Sequence, residues 1–311
     1  MTVNATISEA DLKGILLGYD LGDLIEVGSF ATGTLQTNLL LTTDTGRYAF
    51  RLYENRTADY VAFELELLRY LWQKKYPCPA PIPDTTGSVL GTRQGKPWAL
   101  FTLMKGTHDD DPDHYRQVAE AIGKLHELTQ NLRLSKKASR DTYDPVSCLR
   151  NAKGNLGKVP SPEEAQSRLT WIQEQVGDIQ LPEQLPMGVC HCDPNPTNFL
   201  YLDGKLSAVL DFDMAAYVPL LYDVSCLIYW WACAGGHDIS FPRVREILAA
   251  YQGVRPLTNM ERRHLYDVLK MVMLMGSGWF AAADDFWTDT RGVERLNAIG
   301  RAAFYEETLG N

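Results

Sequence analysis

The sequence has 311 residues, a length typical of about two domains of ordinary size. Apolar residues make up 45% of the chain and charged residues 22%, which excludes a disordered chain, a collagen and a coiled coil. The formal net charge of −9 argues against nucleic acid as the main partner. We expect no secretory leader and no membrane span, because no apolar stretch is long enough. The six scattered cysteines favour a cytoplasmic location, with reduced thiols.

The first third of the chain is predicted to consist mainly of strands. Residues 8–18 are predicted to form a short amphipathic helix, and residues 58–75 form a longer one with apolar residues at helical spacing. The turn Thr43–Gly46 joins two strands as a hairpin, and a turn around Gln94-Gly95 joins another pair. The predicted strands are 24–27, 37–43, 46–53, 89–90 and 98–104.

Helices dominate the rest of the chain after residues 105–107, so we place a domain boundary near residue 105. The predicted domains are 1–104, with a hinge near 102–106, and 107–311. Helices are expected at 112–131, at 162–177 and over most of 220–311. A short hairpin over 198–211 turns at Asp203-Gly204. The segment 131–158 has a local charge of +5 and is interpreted as a mobile basic loop or as a contact to substrate anions.

The most informative stretch carries polar residues at fixed spacing around this hairpin. His191, Asp193 and Asn198 form the pattern H-x-D-x4-N, and Asp211-Phe212-Asp213 follows eighteen residues after Asp193. The hairpin would place Asp193, Asn198 and Asp211 at one edge. Phosphoryl transfer needs such a set: one carboxylate orients the attacking hydroxyl, while an amide oxygen and a second carboxylate hold Mg²⁺. The alternative is a set of loop carboxylates that cap turns.

With these motifs the sequence resembles the aminoglycoside phosphotransferase/choline kinase family. The resemblance implies an α+β, bilobal protein-kinase-like fold with a small antiparallel-sheet lobe and a mostly helical lobe. It also implies that ATP and Mg²⁺ are used, that Asp193 is the catalytic aspartate, and that Asn198 and Asp211 are metal ligands. Asp223, in the stretch LYDV, matches a Tyr-Asp element of the family, and His126 is interpreted as a buried structural histidine.

Within that family, the homoserine kinase-like branch is the most similar. Three stretches resemble this branch in their residues and in their order along the chain: TNLLLTTDTGRYAFRLYE, YPCPAPIPDTTGSVLGTRQGKPWALFTLMKG and AVLDFDMAAYVPLLYDVS. The late helix departs from it, because MVMLMGSGWF carries no arginine that could bind a substrate carboxylate. This departure argues against homoserine itself as the substrate.

The resemblance also assigns nucleotide contacts in the first domain. Arg51 stands where the family usually carries a lysine that contacts the nucleotide phosphates, and Arg can grip phosphate bidentately. Glu64 fits the partner glutamate, and Glu66, about 200° away around the helix, is the alternative; both can also be solvated surface charges. The other predicted contacts are the irregular loop residues Gly28, Ser29 and Gly33, which can also be a plain hairpin turn, and the hinge residues Leu103 and Met104.

The acceptor side is predicted from acids and aromatics in the second half of the chain. These candidates are Asp213, Trp230, Trp279 and Asp284. Aromatic rings beside carboxylates suit an ammonium group, although core packing is the more frequent role of a helical tryptophan. Asp213 can instead touch the metal or cap a turn. We therefore expect an ATP- and Mg²⁺-dependent kinase of a small-molecule hydroxyl, with an amine-bearing substrate. An amino alcohol or an amino acid of the homoserine type ranks first, an aminoglycoside or other amine-bearing antibiotic second, and a silent nucleotide-binding protein last.

Overall fold

The computed structural model describes residues 7–30, 36–109, 111–135, 142–182, 184–234 and 238–310. The helices are α1 (Glu9–Leu16), α2 (Ala58–Gln73), α3 (Tyr115–Thr129), α4 (Pro145–Leu156), α5 (Pro162–Gly177), α6 (Leu221–Ala232), α7 (Phe241–Val254), α8 (Asn259–Trp279), α9 (Phe286–Asp289) and α10 (Arg291–Leu309). The strands are β1 (Leu24–Ser29), β2 (Thr37–Thr43), β3 (Arg47–Leu52), β4 (Gly91–Arg93), β5 (Lys96–Thr102), β6 (Met187–Cys190), β7 (Phe199–Leu202), β8 (Lys205–Val209), β9 (Ala216–Pro219), β10 (Cys233–Ala234) and β11 (Asp238–Ile239).

Five of these strands form an antiparallel sheet in the order β1-β2-β3-β5-β4. Helix α1 begins at Ser8, whose side chain and that of Asp11 form a capping box. Its buried face packs with Phe50 and Leu52 of β3 in one apolar cluster. Because side chains alternate along a strand, Arg51 lies on the opposite face of the sheet.

Helix α2 begins at Thr57, whose side chain accepts a hydrogen bond from Tyr60 N. Its buried positions include Val61, Leu65 and Leu68, which recur at helical spacing. Glu64 lies on the same buried face and its side chain is only 2% exposed. A buried carboxylate needs a partner of opposite charge, and that partner is described below.

The hairpin β7–β8 turns through Asp203 and Gly204, with φ of 51° and 72°, which confirms the predicted turn. Residues 200–213 belong to the same compact unit as residues 1–107 and 133–140, called here the first unit. Val209 N donates to Pro77 O at 2.7 Å, and Thr107 and Tyr201 form an antiparallel bridge. These bonds hold the hairpin to the rest of the first unit.

The second unit comprises residues 108–132, 141–199 and 214–311 and is mostly helical. Helix α3 packs against α7, and α8 packs against both α4 and α6. The short strands β6 and β9 pair antiparallel and carry the chain into and out of the motif region. Among the described residues, no helix has the length and apolar character needed to cross a membrane.

The prediction of a mobile loop over 131–158 is wrong for its second half, because residues 145–156 form helix α4. The Asp144 side chain accepts a hydrogen bond from Ser147 N, and Pro145 occupies the first helical turn. The buried face of α4 includes Cys148, Ala152 and Leu156, while its basic residues lie on the other positions. The two basic residues of α4, Arg150 and Lys153, therefore lie on its exposed face. The boundary predicted near residue 105 stays a prediction.

Candidate active site

The loop that carries Asp193 follows strand β6 and is held by a buried carboxylate. Asp223, on helix α6, accepts His191 N through Oδ2 and Cys192 N through Oδ1, both at 2.7 Å. Asp223 is fully buried, and Cys192 has a positive φ of 68°. A non-glycine residue rarely adopts this backbone conformation, so the surrounding bonds must hold it. Trp231 Nε1 donates to Pro194 O at 2.9 Å and fixes the loop on the other side of Asp193.

Asp223 is itself held by a chain of buried polar groups. Its Oδ2 lies 3.1 Å from Nε2 of His126, and Nδ1 of His126 lies 2.8 Å from the Tyr251 hydroxyl. Arg255 Nη1 donates to that hydroxyl and to Glu261 Oε1, each at 2.9 Å. The side chains of His126, Asp223 and Glu261 are fully buried. His126 is therefore the buried structural residue predicted from the sequence, and its environment connects α3, α6 and α7.

Two amide side chains orient the Asp193 carboxylate. Asn195 Nδ2 donates to Asp193 Oδ2 at 2.8 Å, and Asn198 Nδ2 donates to the same oxygen at 3.2 Å and to Asp193 O at 2.8 Å. Asn198 is buried at the end of a 3₁₀ turn over Pro196–Asn198. Because its amide nitrogen is engaged by Asp193, its amide oxygen is the atom that a cation would take.

In the first unit, Arg51 joins three acceptors. Its Nε donates to Asn38 Oδ1 at 2.8 Å, and its Nη1 donates to Asp211 Oδ1 at 3.0 Å. The same Nη1 lies 3.6 Å from Glu64 Oε1. Glu66, the alternative partner, instead accepts bonds from Ser135 N and Oγ at 2.8 Å. The structure therefore pairs Arg51 with Glu64, the partner that the resemblance implied, and Glu66 faces Ser135, because the two glutamates lie about 200° apart around the helix.

The charge state of this network is set by its geometry. Burial alone lowers the pKa of Arg51, but the charges of Asp211 and Glu64 outweigh burial, and the pKa of Arg51 is raised above its ordinary value. Burial, and then the charge of Glu64, raise the pKa of Tyr53 well above that of a free tyrosine. Arg51 is therefore a permanent cation, whose side chain is 17% exposed, and Tyr53 is a neutral neighbour.

The turn after β8 separates two carboxylates with different surroundings. Asp211 has a positive φ of 58°, and its side chain is 42% exposed. Asp213 has a side chain only 7% exposed and forms a bidentate pair with Arg56, with Nε to Oδ1 at 3.0 Å and Nη2 to Oδ2 at 2.6 Å. Tyr60 Oη donates to Asp213 O at 2.9 Å.

The oxygens of Asn198 and Asp211 are the donor type that Mg²⁺ prefers. Asp211 offers an exposed carboxylate, and Asn198 offers an amide oxygen on a side chain fixed by Asp193. The chemistry of these donors fits the metal that the resemblance implies. Asp213, whose carboxylate is engaged by Arg56, fits it less well.

The other predicted nucleotide residues lie on the sheet and directly after it. Gly28 and Ser29 end β1, opposite Leu40 and Leu39 of β2. Gly33 lies outside the described residues. Leu103 and Met104 follow β5 and are partly buried. The next residues are fixed in place: Lys105 O accepts a bond from Ser207 Oγ at 2.7 Å, and Gly106 has a φ of 124°.

The predicted acceptor residues other than Asp213 are scattered over the second unit. Trp230 lies on α6 and is 44% exposed, Trp279 ends α8, and Asp284 is exposed in the turn before α9. The Trp279 ring makes an edge contact with Tyr143 at 6.1 Å. Within the described part of the chain, no hydrogen bond or ring contact joins Trp230, Trp279 and Asp284. Their role at the acceptor stays a prediction.

Sequence reasoning missed three residues of the first-unit network. Asn38 could have been found, because counting outward from the turn Thr43–Gly46 pairs it with Arg51 across the hairpin. Arg56 and Tyr60 reach the turn at Asp213 over more than 150 residues of sequence. No local pattern marks such a contact.

Comparisons with known proteins agree with this geometry. The sequence model of the phosphotransferase enzyme family matches residues 26–266. A homoserine kinase from Methylobacillus flagellatus is 28% identical, over 99% of this chain and 94% of its own length. A homoserine kinase from Rhodospirillum rubrum is 31% identical, over 84% of this chain and 81% of its own length.

Solved structures show the same fold at low sequence identity. A microcompartment-associated aminopropanol kinase aligns with a TM-score of 0.73 at 16% identity, covering 97% of this chain and 99% of its own. The Plasmodium vivax ethanolamine kinase aligns with a TM-score of 0.64 at 17% identity, covering 99% of this chain and 93% of its own. The expected α+β, protein-kinase-like fold is therefore confirmed.

Proposed function

Because the chain belongs to the phosphotransferase enzyme family and is a kinase of a small-molecule hydroxyl, we propose that it transfers the γ-phosphoryl group of ATP to an amine-bearing alcohol. The acceptor class that ranks first is an amino alcohol or an amino acid of the homoserine type. The curated relatives named above are homoserine kinases, and the aligned structures include an aminopropanol kinase and an ethanolamine kinase. All of these named substrates carry an amine and a hydroxyl.

The observation that carries this proposal is the support of the Asp193 loop. Asp223 accepts two successive backbone N–H groups of the loop, and two amides hold one oxygen of the Asp193 carboxylate. A loop that only capped a turn would not need a buried charge and a strained Cys192 behind it. We assign Asp193 as the group that orients the acceptor hydroxyl and takes its proton.

The other residues act on the nucleotide. Arg51 is a permanent cation that can grip phosphate oxygens, and Asn38 and Glu64 fix its direction. Asn198 and Asp211 would hold Mg²⁺, and the bound metal would neutralise charge that builds on the phosphates during transfer. Leu103 and Met104, which follow β5, would offer backbone groups to the adenine ring. Gly28, Ser29 and Gly33 are assigned to the phosphate loop.

An amino alcohol suits the late helix better than homoserine does. In α8, residues 271–275 are buried methionine, valine and leucine, so this segment provides no cation for a substrate carboxylate. Trp279 and the exposed Asp284 follow this segment and are the groups we assign to an acceptor ammonium. This observation favours an acceptor without a carboxylate within the same class.

We also propose that the reaction takes place in the cytoplasm. All six cysteines are free and buried in the structure, and none forms a disulfide. Free thiols persist in a reducing compartment. ATP is also a cytoplasmic metabolite, so the expected substrate and the free thiols both favour a cytoplasmic location.

Turnover across a panel of hydroxyl acceptors tests the proposal. ADP release would be followed with ethanolamine, 1-amino-2-propanol, choline, L-homoserine, L-threonine and an aminoglycoside, each with and without Mg²⁺. We expect the highest kcat/KM with an amino alcohol and no turnover without the metal. Preference for the aminoglycoside would make the second-ranked function correct. Tight ATP binding without turnover on any acceptor would instead identify a silent nucleotide-binding protein.

A further inference from the structure

The turn that follows strand β8 carries an exposed carboxylate in a backbone conformation that needs support. Asp211 has a φ of 58°, which a residue with a side chain rarely adopts unless its neighbours hold it there. The next three residues, Phe212–Met214, form a single 3₁₀ turn. Whatever holds this turn therefore sets the direction of the Asp211 carboxylate.

Arg56, just before helix α2, supports this turn through Asp213. Its guanidinium forms three hydrogen bonds with the Asp213 carboxylate, at 2.6, 3.0 and 3.2 Å. The guanidinium also lies over the Tyr60 ring, 4.7 Å from its centre, and this stacking fixes its plane. Tyr60 Oη donates to Asp213 O, so one helix end holds both the side chain and the backbone of Asp213.

Asp211 and Asp213 differ in exposure and in their charged partners. Asp213 has a buried side chain, and its bidentate partner neutralises it, which leaves it poorly suited to a cation or to a substrate amine. The Asp211 side chain is far more exposed and meets the tip of Arg51 at 3.0 Å. The hydrogen bond with Asp213 raises the pKa of Arg56, so Arg56 stays a cation.

We propose that Arg56 is a positioning residue for the metal ligand Asp211. Arg56 acts through Asp213, which holds the turn and does not itself contact metal or substrate. This inference rests on the proposed function only for the role of Asp211. On this proposal, the Arg56–Asp213 pair supports metal binding although neither residue contacts the metal.

The test measures how Mg²⁺ tightens the binding of a fluorescent, non-hydrolysable ATP analogue, so that no acceptor is needed. We expect Arg56→Gln to raise the Mg²⁺ concentration at half effect by about ten-fold or more, as is typical when the support of a metal ligand is removed. Analogue binding without Mg²⁺ should change little. Arg69→Gln is the matched control, since it removes the same charge from an exposed position on α2 and should leave both values unchanged.

A double-mutant cycle separates support from direct contact. If the pair acts as a unit, Arg56→Gln with Asp213→Asn should need no more Mg²⁺ than either single variant. Losses that add, or a much larger loss in Asp213→Asn alone, would overturn the proposal and make Asp213 a ligand. An unchanged Mg²⁺ requirement in Arg56→Gln would also overturn it.

Stability is followed in the same variants by thermal melting. If Arg56→Gln does not fold, Arg56→Lys replaces it in the test. Lysine keeps the positive charge but cannot form the bidentate pair with Asp213, so it should also raise the Mg²⁺ requirement, by a smaller factor. Failure of the acceptor panel with a normal Mg²⁺ response would count against the proposed substrate and not against this pair. If the acceptor panel gives the expected turnover but Arg56→Gln leaves the Mg²⁺ requirement unchanged, only the positioning role of Arg56 is wrong.

Discussion

Three aspartates of the motif region carry the same carboxylate and have different neighbours. Asp193 is held by two neutral amides, which orient the carboxylate without neutralising it. Asp211 is half-exposed and meets one tip of Arg51. Asp213 is neutralised by a full guanidinium fork. Their partners therefore suit the three aspartates to the proposed roles of proton acceptor, metal ligand and structural anchor, although the sequence alone shows only three aspartates.

Replacing the proposed catalytic aspartate should separate binding from chemistry. We expect Asp193→Asn to bind ATP and Mg²⁺ about as well as the unchanged protein and to transfer phosphate at least about 100-fold more slowly, because an amide accepts a proton poorly. Calorimetry with the nucleotide and turnover with the acceptor found in the panel give the two values. Equal turnover in the variant would exclude Asp193 as the catalytic group, whereas lost nucleotide binding would move it to the metal or phosphates.

The cation on β3 should matter for both nucleotide affinity and stability. Arg51→Ala removes the cation beside the buried Glu64, so we expect a higher ATP requirement and a loss of about 1–3 kcal/mol of unfolding free energy. Arg51→Lys keeps the charge and should retain most of both. ATP titration and urea denaturation of the two variants provide the comparison. If ATP dependence is the same in Arg51→Ala, the side chain does not bind phosphates.

At the scale of elements, local chemistry made much of the fold predictable. The bounds of β2 and α5 match the sequence prediction, and the turns at Thr43–Gly46 and Asp203-Gly204 fix their hairpins. The pair β6–β9 was missed because two four-residue strands separated by more than twenty residues leave no local signal. Helix α4 was missed because the positive charge of 131–158 was interpreted as a loop, although Asp144 can cap a helix.

The candidate site was predictable to a similar extent. The spacing of Asp193, Asn198 and Asp211 and the register of Arg51 are sequence features. Asp223 was named from the resemblance, but its bonds to His191 N and Cys192 N, like the pairing of Arg56 with Asp213, join distant segments and are fixed only by packing. The candidate acceptor residues were not distinguishable from core aromatics, because exposure is a property of the folded chain.

Two glycines in different elements should respond in opposite directions to alanine. Gly154 lies exposed in α4 with no atom near its missing side chain, so we expect Gly154→Ala to stabilise the protein by about 0.5–1 kcal/mol. Gly204 has equal space but a φ of 72°, so Gly204→Ala should destabilise the protein by about 1 kcal/mol or more. Urea midpoints of both variants measure the effects. A loss in Gly154→Ala would contradict the assigned helix.

At the scale of the whole molecule, buried thiols make stability depend on alkaline pH. Burial raises the pKa of Cys78, Cys148 and Cys233 to about 12, from an ordinary value of 9. Each thiol stays neutral in the folded protein and ionises in the unfolded chain above about pH 9. The stability that they contribute is therefore complete below pH 9 and is lost as pH rises from about 9 toward 12.

Urea midpoints between pH 7.5 and 10, in the presence of a reductant, test this dependence. The free energy of unfolding should fall above pH 9 by up to about 1.4 kcal/mol per pH unit for each such thiol. Cys148→Ala, which removes one thiol, should show a shallower decrease than the unchanged protein. A flat profile over this range would show that these thiols are accessible in the folded protein.

The support of the Asp193 loop has a consequence for how substrate preference can change over evolutionary time. The groups that hold this loop lie on α3, α6 and α7, whereas Trp279 and Asp284 lie at and after the end of α8. Substitutions at these proposed acceptor residues therefore replace none of the groups that hold the loop. On this proposed assignment, a lineage with this architecture acquires a new acceptor through a few substitutions without changing the Asp193 loop, and laboratory selection for new alcohols should start at the end of α8.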